Sequence, residues 1–348
     1  MMKVFCVALL LGGQLSLAGS SLQAAEVLPR PELVTPETEA AIQKGLAYLV
    51  RSQKADGSWV AEGQSHAVSM TALATLALMC GGHTPITGPY AENVARGVDF
   101  LLRACNPNGT IASGDGQVMY GHGFAMLVLA HAYGMEANPL RQKRIAEVLQ
   151  KAVQLTTTSQ SGDGGWTYTP NSASDEGSVT ITQIQGLRAC RDAGIGVPPA
   201  TIRRACEYIQ QCANVDGGIS YSKATKGKSL PAITAAATAT MYNAGQFEHP
   251  VALGAQRYVE ALLERNRGDI AKAFPGHTYY SILYCSQAMW LGGEQKWQAF
   301  FPRVRDFLIK DRNADGVWQG DGVGIVFGTS IALVTLQLPY RQLPLLQR

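Results

Sequence analysis

Three histidines, a pair of adjacent acids and a lysine-rich loop are the residues whose chemistry could exceed packing. His66, His122 and His277 each stand at the start of an apolar segment, so on helices they would sit near N-termini. Three imidazoles brought to one place could ligate a metal or relay protons. They lie too far apart along the chain for one ion to be an easy target, and neither a metal nor a cofactor is expected. Asp175 and Glu176, in "SASDEGSVTITQ", are the candidate catalytic carboxyls, with Asp321 as a further acid. A buried carboxyl with a raised pKa can donate a proton within a cavity. An acid just ahead of an apolar run can equally cap a helix. The run "SKATKGK" (222–228) offers Lys223 and Lys226 as an anion clamp, or as a solvated loop. Tyr120, Phe124, Tyr279, Tyr280, Tyr284, Trp290 and Phe327 add aromatic rings to apolar segments. Those near segment starts, Tyr279 and Phe327 among them, could line a cavity or hold a cation.

A repeat must position these residues. In "QKADGSW", Gln53, Gly57 and Trp59 set a pattern that Gln160, Gly164 and Trp166 match in full. Gly316 and Trp318 follow Arg312 at the same spacing, and Gly109–Ile111, Gly217–Ile219 and, more weakly, Gly268–Ile270 keep the glycine with Ile in place of Trp. Successive glycines are 48 to 55 residues apart, which is the period of a helical repeat. Ahead of the first turn Ile42, Leu46, Leu49 and Val50 mark one face of a helix, opened by Thr35-Pro36-Glu37 as cap, first-turn proline and early acid. After it, "HAVSMTALATLALMCGG" is apolar on nearly every side and should be buried all round. The alternation recurs, giving twelve helices in six outer–inner hairpins. The expectation is an all-α (α/α)6 toroid forming a single domain over residues 26–348, with an open solenoid as the other arrangement. In the turns, Asp-Gly would supply the left-handed residue ending the outer helix, the Gln amide would bond freed backbone groups, and the Trp would pack over the joint. These are structural roles.

The N-terminal residues 1–25 read as a cleavable signal peptide: Lys3, an apolar run from Val4 to about Leu17, then small residues to Ala24 and Ala25. Export to the periplasm or cell envelope follows, with no later run long enough to span a membrane. Of the 348 residues 46% are hydrophobic and 16% charged, which suits a large core, and the formal net charge of +3 comes with no basic stripe to suggest nucleic acid. The six remaining cysteines, Cys80, Cys105, Cys190, Cys206, Cys212 and Cys285, read as buried thiols, with one or two bridges through Cys206 or Cys212 left open.

The Q-x3-G-x-W turns at this period, joining outer to inner helices over residues 36–340, resemble the prenyltransferase/squalene cyclase repeat superfamily, and most of all its exported bacterial repeat proteins. The resemblance implies parallel inner helices whose N-termini meet at one mouth of a central cavity, where their dipoles favour an anion such as a diphosphate. It also implies an isoprenoid or triterpenoid as ligand. The zinc-binding Arg-x2-Lys-x2-Asp-x-Cys of the protein prenyltransferases corresponds here to Lys223-x2-Lys226-x2-Ser229-x-Pro231, which lacks both metal ligands. The Asp-x-Asp-Asp acid of the squalene–hopene cyclases has no counterpart in the chain. Two other readings remain beside the lipid one: a non-catalytic scaffold, and a carbohydrate-active toroid using carboxylates such as Asp175, Glu176 and Asp321. The centre of the ring discriminates among them.

Overall fold

Prolines and caps open the outer helices. Thr35 accepts from the Thr38 amide ahead of α1 (Pro36–Ser52), and Asn138 and His249 do the same for α5 (Pro139–Thr158) and α9 (Pro250–Arg265). With α3 (Ala91–Arg103), α7 (Pro199–Gln211) and α12 (Glu294–Lys310), these helices bury one stripe each; α3 buries Val94, Gly97, Val98 and Phe100 to Leu102. The intervening helices α2 (Ala67–Cys80), α4 (Val118–Met135), α6 (Gly177–Asp192), α8 (Pro231–Asn243), α11 (Thr278–Leu291) and α13 (Ile325–Gln337) bury nearly every side chain. A one-turn helix, α10 (Ile270–Ala273), precedes α11. The computed structural model describes residues 30–343 apart from 115 and 172, so the expected leader, 1–25, lies outside the described residues.

The inner helices touch in the order α2, α4, α6, α8, α11, α13, and α13 returns to α2. The outer helices pack around them, α1 against α13, α3 against α2, α5 against α4, α7 against α6, α9 against α8 and α12 against α11. That closure makes the chain an all-α toroid rather than an open solenoid. The inner wall is tightest between α4 and α6. A Cβ on Gly123 would lie 2.7 Å from the Thr182 carbonyl, and one on Gly186 would lie 2.7 Å from the Gly123 oxygen. Two glycines let these backbones approach as larger residues would not.

The repeat turns fasten each unit to the next. The Gln53 amide donates to the Gly57 carbonyl and to Asn93 at the head of α3, both at 3.0 Å; Gln160 does the same to Gly164 (2.8 Å) and to Thr201 in α7 (2.9 Å). Trp59, Trp166 and Trp318 are fully buried, and their indole N–H groups donate to Leu49, Thr156 and Leu308, ten residues back in the last turn of the outer helix, at 2.8, 2.7 and 2.7 Å. The indole therefore satisfies an orphan carbonyl as well as filling the joint. The glycine's place differs from expectation. Helix α1 ends at Ser52 with Gln53 extended as its C-cap, and Gly57 (φ +89°) closes the turn beyond it through its amide to Lys54 (2.9 Å). All six repeat glycines share a positive φ. Sterics add a second demand: a Cβ at Gly57, Gly109 or Gly164 would sit 2.4 Å from the carbonyl of Arg96, Lys151 or Arg204 on the next outer helix.

The six described cysteines are unbridged, all but Cys105 are buried, and burial pushes the Cys80 and Cys190 thiols up to about 12. No described helix is long and apolar enough to cross a membrane.

Candidate functional site

The loops ahead of the inner helices meet on one face of the ring and are laced together. Met119 at the start of α4 donates its amide to the Tyr168 carbonyl (3.0 Å), and Gly177 at the start of α6 to Tyr221 (2.7 Å). The Tyr279 and Tyr280 amides of α11 donate to the Asp321 carboxylate, each at 2.9 Å, and Gln319 reaches Glu62 across the chain's closing seam (2.6 Å). Within this belt five tyrosines converge. Tyr120 comes from the first turn of α4, Tyr280 and Tyr284 from α11, and Tyr168 and Tyr221 from the loops before α6 and α8.

Tyr168 and Tyr221 share a hydroxyl hydrogen bond of 2.6 Å, and Tyr221 lies beside the Glu176 carboxyl. Tyr120 meets Phe124 edge-on at 5.4 Å, and Tyr280 lies against Tyr284 at 4.9 Å. Burial holds the Tyr120 and Tyr280 phenols well above their usual value, and the neighbouring Tyr284, Glu176 and Tyr221 raise them further. Helices α4 and α11 stand opposite each other in the ring, so this mutual influence marks one shared space. Half-buried Ala67, Val118, Leu230 and Val323 stand at or just before the heads of α2, α4, α8 and α13, the ends of the inner helices from which these loops enter.

The helix dipoles at this mouth are already partly used. The Glu176 carboxylate caps α6, accepting from the Ser178 and Val179 amides at 2.8 and 2.6 Å, and Asp321 caps α11. The α4 terminus faces the Tyr168 carbonyl. Three of the inner N-termini thus hold the protein's own acceptors, two of them carboxyl groups, where the resemblance implied a diphosphate.

The candidate residues are distributed as follows. Glu176 is buried, and burial raises its carboxyl despite the amide and hydroxyl donors that pull the other way. Asp175 accepts from the Ser161 hydroxyl at 2.7 Å. Lys223 is engaged by Asp163 at 2.6 Å, while Lys226 is exposed on the same loop. His66 caps α2 in a left-handed conformation (φ +53°), and His277 is exposed at the head of α11. Tyr279 turns away from the ring centre to donate to Asp311 (2.5 Å), and Phe327 is buried beside Gly320. Trp290 lies at the far end of α11, where Arg341 sits 5.2 Å over its ring beside a cleft of about 390 Å³. The three histidines do not come together, and among the described residues no group of His, Cys, Asp or Glu could hold a metal.

His122 lies in the wall rather than at the mouth. It is wholly buried, accepts the Ile111 amide at Nδ1 (3.1 Å) and donates from Nε2 to Thr156 (3.0 Å). Elsewhere a threonine hydroxyl receives the matching amide: Thr71 for Trp59, Thr180 for Trp166, Thr234 for Ile219 and Thr329 for Trp318. The imidazole, longer than a threonine side chain, also reaches Thr156 on the outer helix α5. Burial lowers its pKa to about 4, so it stays neutral.

Tyr168 and Tyr221 were not among the sequence candidates because they lie on loops without periodicity. A signal existed: each stands two residues after its repeat Trp or Ile, in "WTY" and "ISY".

No protein-family model matches the chain. A stretch of 181 residues, 51% of this chain, is 28% identical to the drimenyl diphosphate synthase of Streptomyces showdoensis and spans about a third (32%) of that relative. Among solved structures, the type II terpene cyclase MstE from Scytonema, bound to geranylgeranyl dihydroxybenzoate, superposes with a TM-score of 0.58 at 14% identity, covering 88% of this chain and 98% of that one. The GH76A α-1,6-mannanase of Salegentibacter sp. HEL1_6 superposes with a TM-score of 0.62 at 11% identity, covering 86% and 98%. At such identities the likeness is one of fold. The chain has the α/α toroid fold, which these terpene cyclases and glycosidases share.

Proposed function

We propose that the toroid binds an isoprenoid or other terpenoid lipid at its tyrosine-lined mouth. The observation that carries this reading is the convergence of Tyr120, Tyr168, Tyr221, Tyr280 and Tyr284 at the end of the ring where the apolar inner helices begin. Ring faces supply apolar area together with a polar edge, which suits a hydrocarbon bearing few polar atoms. Burying roughly 200 Å² of hydrocarbon there would contribute about 5 kcal/mol. The fold shared with MstE and the stretch similar to a drimenyl diphosphate synthase support the same ligand class.

The reading is one of binding. Cyclisation by proton transfer needs a carboxylic acid with a free O–H aimed at an alkene, and both Glu176 oxygens accept hydrogen bonds within the protein. The carbohydrate alternative meets the same obstacle, since Glu176 and Asp321 are spent on helix caps and Asp175 on Ser161. Export of the chain through residues 1–25 is part of the proposal, supported by the Lys3-led apolar run.

Native mass spectrometry of the mature protein, with extraction of any lipid it retains and titration with geranylgeraniol, tests the reading. A stoichiometric terpenoid, or a 1:1 complex that Tyr120→Ala weakens at least about tenfold, supports it. A mass unchanged by any terpenoid probe would leave the toroid a scaffold.

A further inference from the structure

Two hydroxyl groups at this mouth have nothing to bond. Tyr284 is 0% exposed, and its hydroxyl, like that of Tyr280, is buried without a hydrogen-bond partner. Their rings lie 4.9 Å apart on successive turns of α11, facing Tyr120 across the ring. Phenylalanine would fill the same volume without leaving a donor unmet, and an unmet buried donor is costly. The loop tyrosines differ: the Tyr168 and Tyr221 hydroxyls bond each other at 2.6 Å. Both unpartnered hydroxyls belong to α11.

We propose that the Tyr280 and Tyr284 hydroxyls form a subsite for the oxygen of an uncharged terpenoid, an alcohol or a ketone, rather than for a diphosphate or a bare hydrocarbon. The proposal rests on the mouth being the lipid site. A hydroxyl or carbonyl oxygen accepts the hydrogen bonds these phenols offer, whereas a saturated hydrocarbon leaves them unmet. A diphosphate finds the wrong surroundings. Glu176 and Asp321 place carboxylates beside the site, the amides at the heads of α4, α6 and α11 are already bonded, and Lys223 is paired with Asp163. Burial of the Tyr280 phenol, which raises its pKa, shows that the surroundings disfavour negative charge.

The test titrates the full mature protein with geranylgeraniol, the saturated hydrocarbon phytane and geranylgeranyl diphosphate, in wild type and in a Tyr280→Phe/Tyr284→Phe variant. The alcohol is expected to bind wild type at least about tenfold more tightly than either of the others. In the double variant the alcohol should fall to the hydrocarbon's affinity while the hydrocarbon's own affinity is unchanged. A melting temperature equal to or above that of wild type will show that the variant folds. Equal binding of alcohol and hydrocarbon to wild type, or a preference that survives the double substitution, overturns the subsite and leaves the hydroxyls to water. Failure of all three probes to bind strikes instead at the lipid reading of the mouth.

Discussion

His122 shows how one side chain can tie together several elements. At the Ile111 turn the imidazole takes the amide that a threonine receives in four other units, and its second nitrogen joins α4 to Thr156 of α5. Its pKa of about 4 against an ordinary 6.5 has a definite sign. Above 6.5 the residue is neutral in both states; below it the unfolded chain takes up a proton that the folded protein refuses until about 4. Stability is therefore full at neutral pH and is lost as pH falls through that window, by about 3 kcal/mol at most from this residue. His131, also lowered to about 4, acts in the same direction. Urea unfolding at pH 7 and pH 4.5 should show the loss, and His122→Thr, the residue used by four other units, should reduce it. A slope unchanged by that substitution would refute the assignment. Trp166→Phe keeps the packing but removes the 2.7 Å donor to the Thr156 carbonyl, leaving it the Ser159 hydroxyl at 3.4 Å, and is expected to cost about 1–2 kcal/mol in the same assay.

At the level of elements, the glycines of the turns answer to two demands that a pair of substitutions can separate. Gly63 has a positive φ (+70°) with nothing within 4 Å of its Cβ position, so Gly63→Ala should cost only the left-handed backbone, about 1–2 kcal/mol. Gly57→Ala adds a clash 2.4 Å from the Arg96 carbonyl and should cost at least about 1 kcal/mol more, because the turn must lift off α3. Equal thermal shifts for the two would mean that docking on the next outer helix contributes nothing. The inner wall has its own test. Gly123→Ala places a methyl 2.7 Å from the α6 backbone, and should lower stability by about 1–3 kcal/mol by forcing α4 and α6 apart.

The whole molecule depends on closure. Helix α13 fills the gap between α11 and α2, and the seam is tied by Arg312 to Glu37 (3.0 Å), Arg305 to the Leu33 carbonyl (2.8 Å) and Tyr340 to Glu39 (3.2 Å). A chain ending at Lys310 would leave the apolar flanks of α2 and α11 uncovered. It should lose the single cooperative melt and self-associate, which size-exclusion chromatography and circular dichroism would register. A monomeric, cooperatively melting truncation would show that the ring tolerates an open seam.

Much of this architecture was legible in the chain itself. The period of about 50 residues, the amphipathic-then-apolar alternation and the Gly and Trp of the turns determined twelve long helices in a repeating order, because helical periodicity and backbone demands at a turn are local properties. What tertiary structure decided is which local options were taken. Glu176 and Asp321 became helix caps because the folded loops bring their carboxylates to free amides. His122 went into the wall because a buried amide and a distant threonine met there. Tyr168 and Tyr221 joined Tyr120, Tyr280 and Tyr284 because ring closure set opposite helices and separate loops around one opening. Sequence spacing specifies an element and its buried face. Only the closed ring determines which side chains from distant units share a space, and that shared space defines the candidate site.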